Sequence, residues 1–465
     1  MLAAVVGLLL AVAALAVYRL TYVDRYYDHF VWQAAAFLEG EAGIRYPIAS
    51  TADQFGNWFF QDVLPIGHVG GIERGLIPFP PLPAVILVPF VAAFGLDADD
   101  QLVFTVLAAL DVAACWWMLG RLPIPTIVRL CTTVFFAFGT VFWYTAQNTT
   151  TWYQAHIVAV GLMLLAVGWA IDAWRRSSGP GDPADPPPGA SSVEPGRGFG
   201  IDPRGFAIGL LFGLAITARL TVVLAAPFFL LIGPGRSVRR RGLSVGLGAA
   251  VPVAALLLYN VVATGHVLHP AYDHLYRLEA RAYTGLGYHT EWAAEDPRYL
   301  PQNAVIMWLA APEILPTHLR DTLGTIDRPL CDEPGASRAL FDVTCPIALP
   351  RDTGMSVLLT SPALLLAVAA VGNRRHRRLV VAAALAFALV SIADLMHFSQ
   401  GWVQFGYRFF NDTVPFALVL VALGFAQLVD RVHRRRWGMP VAIGLIVLSI
   451  AVNAWGVVWG RILGW

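Results

Sequence analysis

The sequence predicts an all-α polytopic membrane protein, a bundle of about eleven membrane-inserted helices with two long extracytoplasmic loops. Three observations carry this. Of 465 residues, 57% are hydrophobic and only 14% charged, against about a quarter charged in soluble domains, and mean hydropathy is +0.61. Apolar runs long enough for a hydrocarbon core of about 30 Å recur along the whole chain. The arginines fall in short clusters between those runs, and the net charge is +1, a pattern that argues against a nucleic-acid partner. The whole of 1–465 reads as a single membrane-embedded domain.

The elements follow in order. Residues 2–20 form an uncleaved first helix, since a basic start and a convincing cleavage site are both missing. Further spans are expected over 101–120, 130–146, 153–172, a doubled segment 205–232, 243–263, 356–372, 379–396, 413–430 and 440–459. The loops holding Arg121 and Arg129, Arg175 and Arg176, Arg236 to Arg241, Arg374 to Arg378, and Arg431 to Arg436 are placed in the cytoplasm by the positive-inside rule, with the N-terminus inside.

That assignment decides two segments. Counting Pro78–Gly95 (PFPPLPAVILVPFVAAFG) as a span would invert every later basic loop, so it is read as an interfacial or re-entrant helix. Residues 205–232 run between two cytoplasmic loops in about 28 residues, too few for two crossings at 1.5 Å per residue, so a hairpin of two short, broken helices is expected. The outer loops are then 21–100 and 264–355. Residues 177–200, rich in Pro, Gly, Ser and Asp, are expected to be a disordered cytoplasmic linker. Cys115 and Cys131 lie in apolar runs, while Cys331 and Cys345 share the second outer loop, where they either close a disulfide or stay as thiols. No strong internal repeat is seen, which weakens an inverted-repeat transporter reading.

Chemistry belongs in the outer loops. After the first helix, Thr21 to Gly40 (TYVDRYYDHFVWQAAAFLEG) reads as helical, and Asp24, Asp28 and Trp32, spaced i, i+4, i+8, would share one face. A carboxylate there can take a proton from a hydroxyl, and an aromatic ring can pack on a sugar. The same spacing also suits an N-cap at Asp24 and a solvated charge at Asp28.

An acidic residue shortly after helix one, an Ala-rich helix ending in Gly, and a Pro-rich amphipathic helix together resemble the GT-C glycosyltransferases. The resemblance extends to the dolichyl-phosphate-mannose protein mannosyltransferase-like and Rgt-type lipopolysaccharide-core transferases. Further matching stretches are Phe79-Pro-Pro-Leu-Pro-Ala84, Gly213-Leu-Ala-Ile-Thr-Ala-Arg219, Thr360-Ser-Pro362 and Gln404 to Pro415. The resemblance implies a GT-C-like bundle in the plasma membrane, with its active site on the extracytoplasmic side. It implies an inverting hexosyl- or pentosyltransferase moving sugar from a polyprenyl-phosphate donor to an extracytoplasmic acceptor of the cell envelope, be it glycan, lipid or protein. It makes Asp28 the match for the catalytic base. Many relatives have an adjacent Asp-Glu pair where this chain has Asp28-His29, so Asp24, Asp53 and Asp62 remain as rivals.

Arg219 stands in an apolar stretch, where a charge costs several kcal/mol unless a partner meets it. A lipid phosphate is one such partner; a buried acid or a snorkelled position is another. Arg408 and Asp412, i and i+4 at an outer helix start after the aromatic stretch Trp402 to Tyr407, read either as an intrahelical ion pair or as a phosphate fork held by Asp412 with Tyr407 alongside. His156 lies near the outer end of its span, as a substrate contact or as a satisfied helix-end residue. His266, His269, Asp273, His274, His289 and Glu291 carry no tight ligand motif and read as surface groups. No cofactor is required, although some of the wider superfamily use a divalent metal. Asn303–Leu315 is expected to be an interfacial helix. No glycine-rich phosphate loop occurs, in keeping with a lipid-linked donor. The rival readings are a polytopic transporter or lipid flippase, and a lipid-linked glycan ligase or polymerase.

Overall fold

The computed structural model describes residues 2–24, 27–45, 62–178, 200–235, 237–282, 284–322, 324–401, 403–431 and 437–465. Asp53, Trp402 and most of the 177–200 linker lie outside them. Helix α1 (Leu2–Thr21) leads to a short α2 (His29–Leu38). A three-stranded antiparallel sheet follows, ordered β1-β3-β2, from β1 (Ile44–Arg45), β2 (Leu64–Val69) and β3 (Ile72–Leu76). Its register pairs Ile44 with Gly75 and Leu64 with Leu76. Sheet and α2 are held together by Trp32, Ala36, Ile44, Val63, Ile77 and Phe79. Arg74, almost wholly buried, ties the same corner by donating to the Gly43 carbonyl and to Glu39 at 2.7 and 2.8 Å. Helix α3 (Leu82–Phe94) begins behind Pro81 and at 1.5 Å per residue is about 20 Å long, too short to cross.

Next come α4 (Asp100–Leu119), α5 (Thr126–Phe138), α6 (Phe142–Gln147), α7 (Thr151–Ser178), α8 (Pro203–Ile216), α9 (Ala226–Leu231) and α10 (Val238–Thr264). The polar residues that open these helices take the amides a helix start leaves unpaired: Asp99 accepts from Leu102 N–H, Asp202 from Arg204 and Gly205, and Ser237 from Arg240. A 3-10 segment, Leu220–Ala225, joins α8 to α9, which is the broken hairpin expected over 205–232. In the second loop, α11 (Pro270–Ala282) and α12 (Leu300–Leu309) are followed by two small antiparallel pairs. These are β4 (Glu313–Ile314) with β7 (Ala348–Leu349), and β5 (His318–Arg320) with β6 (Asp327–Pro329). Cys331 and Cys345 are disulfide-bonded. The chain then forms α13 (Val357–Thr360), α14 (Leu366–Ala370), α15 (Arg377–Leu395), a 3-10 turn Arg408–Thr413, α16 (Val414–Arg431) and α17 (Gly438–Leu463).

Among the described residues, seven helices are long and apolar enough to cross a membrane, and four further apolar ones are shorter. The expected spans 130–146 and 356–372 are broken, the first between α5 and α6 at Gly139–Val141, the second at Ser361–Pro362. Proline removes a helical N–H and the residue before it avoids helical backbone, which accounts for the second break. Helix α12 starts at Leu300 and stops at Leu309, so the interfacial helix sits earlier than 303–315.

Burial sorts the helices. The apolar windows of α7 and of the Arg408–Asp430 segment are 78% and 83% buried, those of α1 and α10 only 22% and 33%. Leu8, Leu9 and Val12 on α1 and Leu258 and Val262 on α10 face outward, an arrangement water would penalise and lipid does not. Helices α8 and α10 touch backbone to backbone: a Cβ at Gly209 would run into the Val245 carbonyl, and one at Gly248 into that of Phe206.

Candidate functional site

The first turns of α7 are the spine of a polar cluster at one end of the bundle. Trp152 donates its indole N–H to Asp62 at 2.9 Å. His29 Nδ1 lies 3.0 Å from Thr151 Oγ1, whose hydroxyl donates to the Tyr27 carbonyl. The Trp152 ring packs edge-on against Tyr27 and tilted against His29. One turn on, His156 is fully buried and donates from Nδ1 to Asp412 at 2.7 Å.

Asp412 is the hub beneath. Its second oxygen accepts from Arg219 Nε at 2.9 Å and from Thr221 Oγ1 at 2.8 Å, and Arg219 Nη2 forms an ion pair with it at 2.9 Å. Asp394, near the end of α15 and 2% exposed, stands 3.8 Å from Arg219. Arg219 therefore has its partner inside the protein. The expected pair of Arg408 with Asp412 does not form. Residues 408–413 are a 3-10 turn, whose three-residue period turns position i+4 away from position i. Arg408 instead donates from Nη1 to the Gly401 carbonyl at 2.8 Å, with its guanidinium 5.5 Å from the Tyr153 ring centre and 5.3 Å from that of Phe409. Tyr407 is completely buried beside Phe409, and its hydroxyl has no partner among the described residues.

The first-loop acids are arranged otherwise than a single helix face. Helix α2 starts only at His29, with Asp28 as its N-cap residue, and the Asp28 carboxyl does not bond the free amides. The preceding residues are tied to α4 instead, Tyr22 donating to Gln101 at 2.6 Å and Gln101 to the Val23 carbonyl. Asp24 is exposed and Asp28 half-buried; Trp32 turns to His29 and the sheet. Burial, and then the charge of Asp24, pushes the Asp28 carboxyl up to about 6. Asp100, at the start of α4, accepts from the Gln154 amide.

Asp62 is 9% exposed and sits at φ 68°, a left-handed backbone that strains a residue with a Cβ. Burial raises its carboxyl to about 6, against the opposing pull of Trp152 and Arg408. Glu279 of α11, half-buried, is pushed up to about 8 by burial and then by the charge of Asp62, while Arg408 pulls it down. The hydrophobic cluster of Tyr276, Leu286, Tyr288, Tyr299 and Phe398 anchors α11. Nearby, Tyr272 hydrogen-bonds His397 Nε2 at 2.8 Å, and His397 Nδ1 lies 3.3 Å from Glu295.

The sequence reading thus named Asp28, Asp62, His29, Trp32, His156, Arg219, Tyr407, Arg408 and Asp412, all of which line or support this cluster. It missed Glu279, Asp394, Asp100, Trp152 and Tyr272. Asp394 was detectable, because an acid inside an apolar run is itself a signal. Among the described residues no three His, Cys, Asp or Glu side chains group as metal ligands. An almost wholly apolar groove of about 370 Å³ lies between α2, α3, α8 and α10, lined by residues that include Phe37, Leu82, Leu214, Thr217 and Tyr259.

Comparison with protein-family models, with characterised proteins and with solved structures returns no match to this chain. Its class rests on its own elements: a mostly helical chain whose long apolar helices suit a membrane-embedded protein.

Proposed function

We propose that this protein is an inverting glycosyltransferase of the plasma membrane, taking sugar from a polyprenyl-phosphate carrier on the extracytoplasmic face. The observation that carries the reading is that Asp62, Arg408 and the chain just before Asp28 all gather at the first turn of α7, on Trp152, Tyr153 and Thr151, at the end of the bundle opposite the arginine-rich helix ends. Arg121, Arg129 and Arg175 gather at that other end, where Arg175 donates to the Arg121 carbonyl and Arg129 to that of Trp116. With the basic end cytoplasmic, the acidic end faces outward.

In this reading an acceptor hydroxyl gives its proton to Asp28 and attacks the anomeric carbon as the carrier phosphate departs from the opposite face. Arg408 holds the leaving phosphate, since only a backbone carbonyl occupies its guanidinium among the described residues. Arg219, already neutralised by Asp412, shapes the floor, and Tyr407 and His156 pack it. The apolar groove beside Thr217 suits the carrier's tail. A transporter is the second reading, favoured by the buried Asp412 and Asp394 and the partly exposed Arg219 set among the helices.

The test gives membranes with wild type, Asp28→Asn or Asp62→Asn radiolabelled polyprenyl-phosphate mannose, glucose, galactose and arabinose separately, and follows label leaving the lipid. Release by wild type and loss in Asp28→Asn is expected. Label that crosses the membrane still on its lipid supports the transporter, and release only from larger glycan donors supports a ligase or polymerase.

A further inference from the structure

At the arginine-rich end of the bundle, helix starts gather around the broken hairpin. The Asp202 amide donates to Ser244 Oγ at 2.9 Å and Arg240 Nε to the Gly200 carbonyl at 2.7 Å, which ties the start of α8 to that of α10. Arg241 wraps the end of α9, donating to the carbonyls of Leu230, Pro234 and Gly235, and α9 packs in turn on α15. Arg239 and Arg240 of α10, and Arg374, Arg375, Arg377 and Arg378 at the opening of α15, are exposed. Among the described residues no carboxylate pairs with any of them. Asp202, the acid at the start of α8, is spent on the Arg204 and Gly205 amides. The neighbouring corner of α4 and α7 differs, since Arg121 and Arg176 there both reach Asp172, at 3.5 and 2.7 Å.

Each of these arginine openings continues into an apolar stripe that faces away from the protein. On α10, Leu243, Leu247 and Val251 follow Arg239 at four-residue steps and are all exposed, so they lie in line along one helix face. On α15, Val381 and Leu385 follow Arg377 in the same way. Between the two helices α9 has only six residues, about 9 Å of helix. Val223, Leu224 and Leu230 of the hairpin face outward there as well. Hydrocarbon solvates such stripes and water does not. Four residues of helix advance about 6 Å, so the arginines stand where the head groups of that bilayer begin. Both helices start at this end, and their dipoles add to the positive charge instead of offsetting it.

We propose that the openings of α10 and α15 are a docking surface for anionic phospholipid, with the head-group phosphate on Arg239 or Arg377 and an acyl chain along the apolar stripe that follows it. A zwitterionic head group brings its own cation to the arginines and fits less well. Each exposed arginine at a bilayer surface favours an anionic lipid by about fivefold in binding constant. The surface lies at the end of the bundle away from the polar cluster, and it holds whether or not the protein transfers sugar. With the orientation proposed above, the leaflet it meets is the cytoplasmic one.

Native mass spectrometry of the full-length protein in maltoside micelles counts bound lipids as dioleoyl-phosphatidylglycerol or dioleoyl-phosphatidylcholine is titrated. Phosphatidylglycerol should bind about fivefold more tightly or better, and Arg239→Gln combined with Arg377→Gln should raise its Kd by about fivefold or more while leaving phosphatidylcholine unchanged. Arg239→Lys combined with Arg377→Lys keeps both charges and should stay within about threefold of wild type, which separates charge from folding. Arg176→Gln removes a cation already paired with Asp172 and should change the Kd by less than about twofold. Equal binding of the two lipids, a glutamine pair within about twofold of wild type, or a lysine pair as weak as the glutamine pair overturns the surface. A loss in Arg176→Gln as large as in the glutamine pair overturns it too, because net charge alone would then attract the lipid. Displacement of phosphatidylglycerol by equimolar inorganic phosphate would assign the arginines to a soluble anion instead.

Discussion

Asp412→Asn is the substitution whose consequence follows most directly from the geometry. Its carboxylate accepts three hydrogen bonds, from His156, Arg219 Nε and Thr221, at 2.7 to 2.9 Å, with Arg219 Nη2 as a further ion-pair contact at 2.9 Å, and its side chain is fully buried. Asparagine keeps one oxygen and turns an amide toward donors that need an acceptor. Arg219 is left with Asp394 at 3.8 Å. Stranding one member of a buried pair costs about 3–5 kcal/mol, and Arg219→Gln alone should cost a similar amount. The double variant should lose hardly more than either single one, an interaction of about 3 kcal/mol. Reversible unfolding in mixed lipid–detergent micelles measures all four corners of the cycle. Additive losses, with an interaction under about 0.5 kcal/mol, would show that Asp412 does not neutralise Arg219. The charge would then be free for a ligand, as an isolated arginine in an apolar run suggests.

Two more outcomes are expected. If Asp28 is the base, it works only when ionised, so sugar release should rise with pH through about 6 and level off above. Below that point the rate should drop about tenfold per pH unit. A flat rate from pH 5 to 7 would remove any acid of this kind, and since Asp62 titrates in the same range, the two Asn variants are needed to say which one acts. Gly248→Ala places a methyl against the Phe206 carbonyl and should destabilise the α8–α10 contact by about 1–3 kcal/mol. Unfolding of this variant at the wild-type denaturant midpoint would mean that the two helices are not in backbone contact.

Much of the helical frame was legible because hydropathy and length are properties of contiguous residues. The first helix, expected over 2–20, runs Leu2–Thr21, and the one expected over 101–120 runs Asp100–Leu119. The hairpin over 205–232 was readable from length alone, since no straight helix fits twice between its basic ends. The breaks at Gly139–Val141 and Ser361–Pro362 were lost inside apolar runs, where a sliding count of apolar residues does not notice a turn. The small sheet of the first loop was missed as well, because β1 is two residues long and pairs with a strand about thirty residues on.

The site was legible by residue type and not by pairing, and the reason is geometric. Charges four apart in sequence meet only if the backbone between them is α-helical. At 408–413 it is a 3-10 turn, so Asp412 is released from Arg408 and becomes the partner of Arg219, far away in the chain. That exchange decides which arginine a ligand can use. An arginine matched by a buried carboxylate gains little from a second anion, because its desolvation is already compensated. An arginine held by one carbonyl and two aromatic rings still has donors to offer. On the proposed reading, phosphate recognition therefore falls to Arg408.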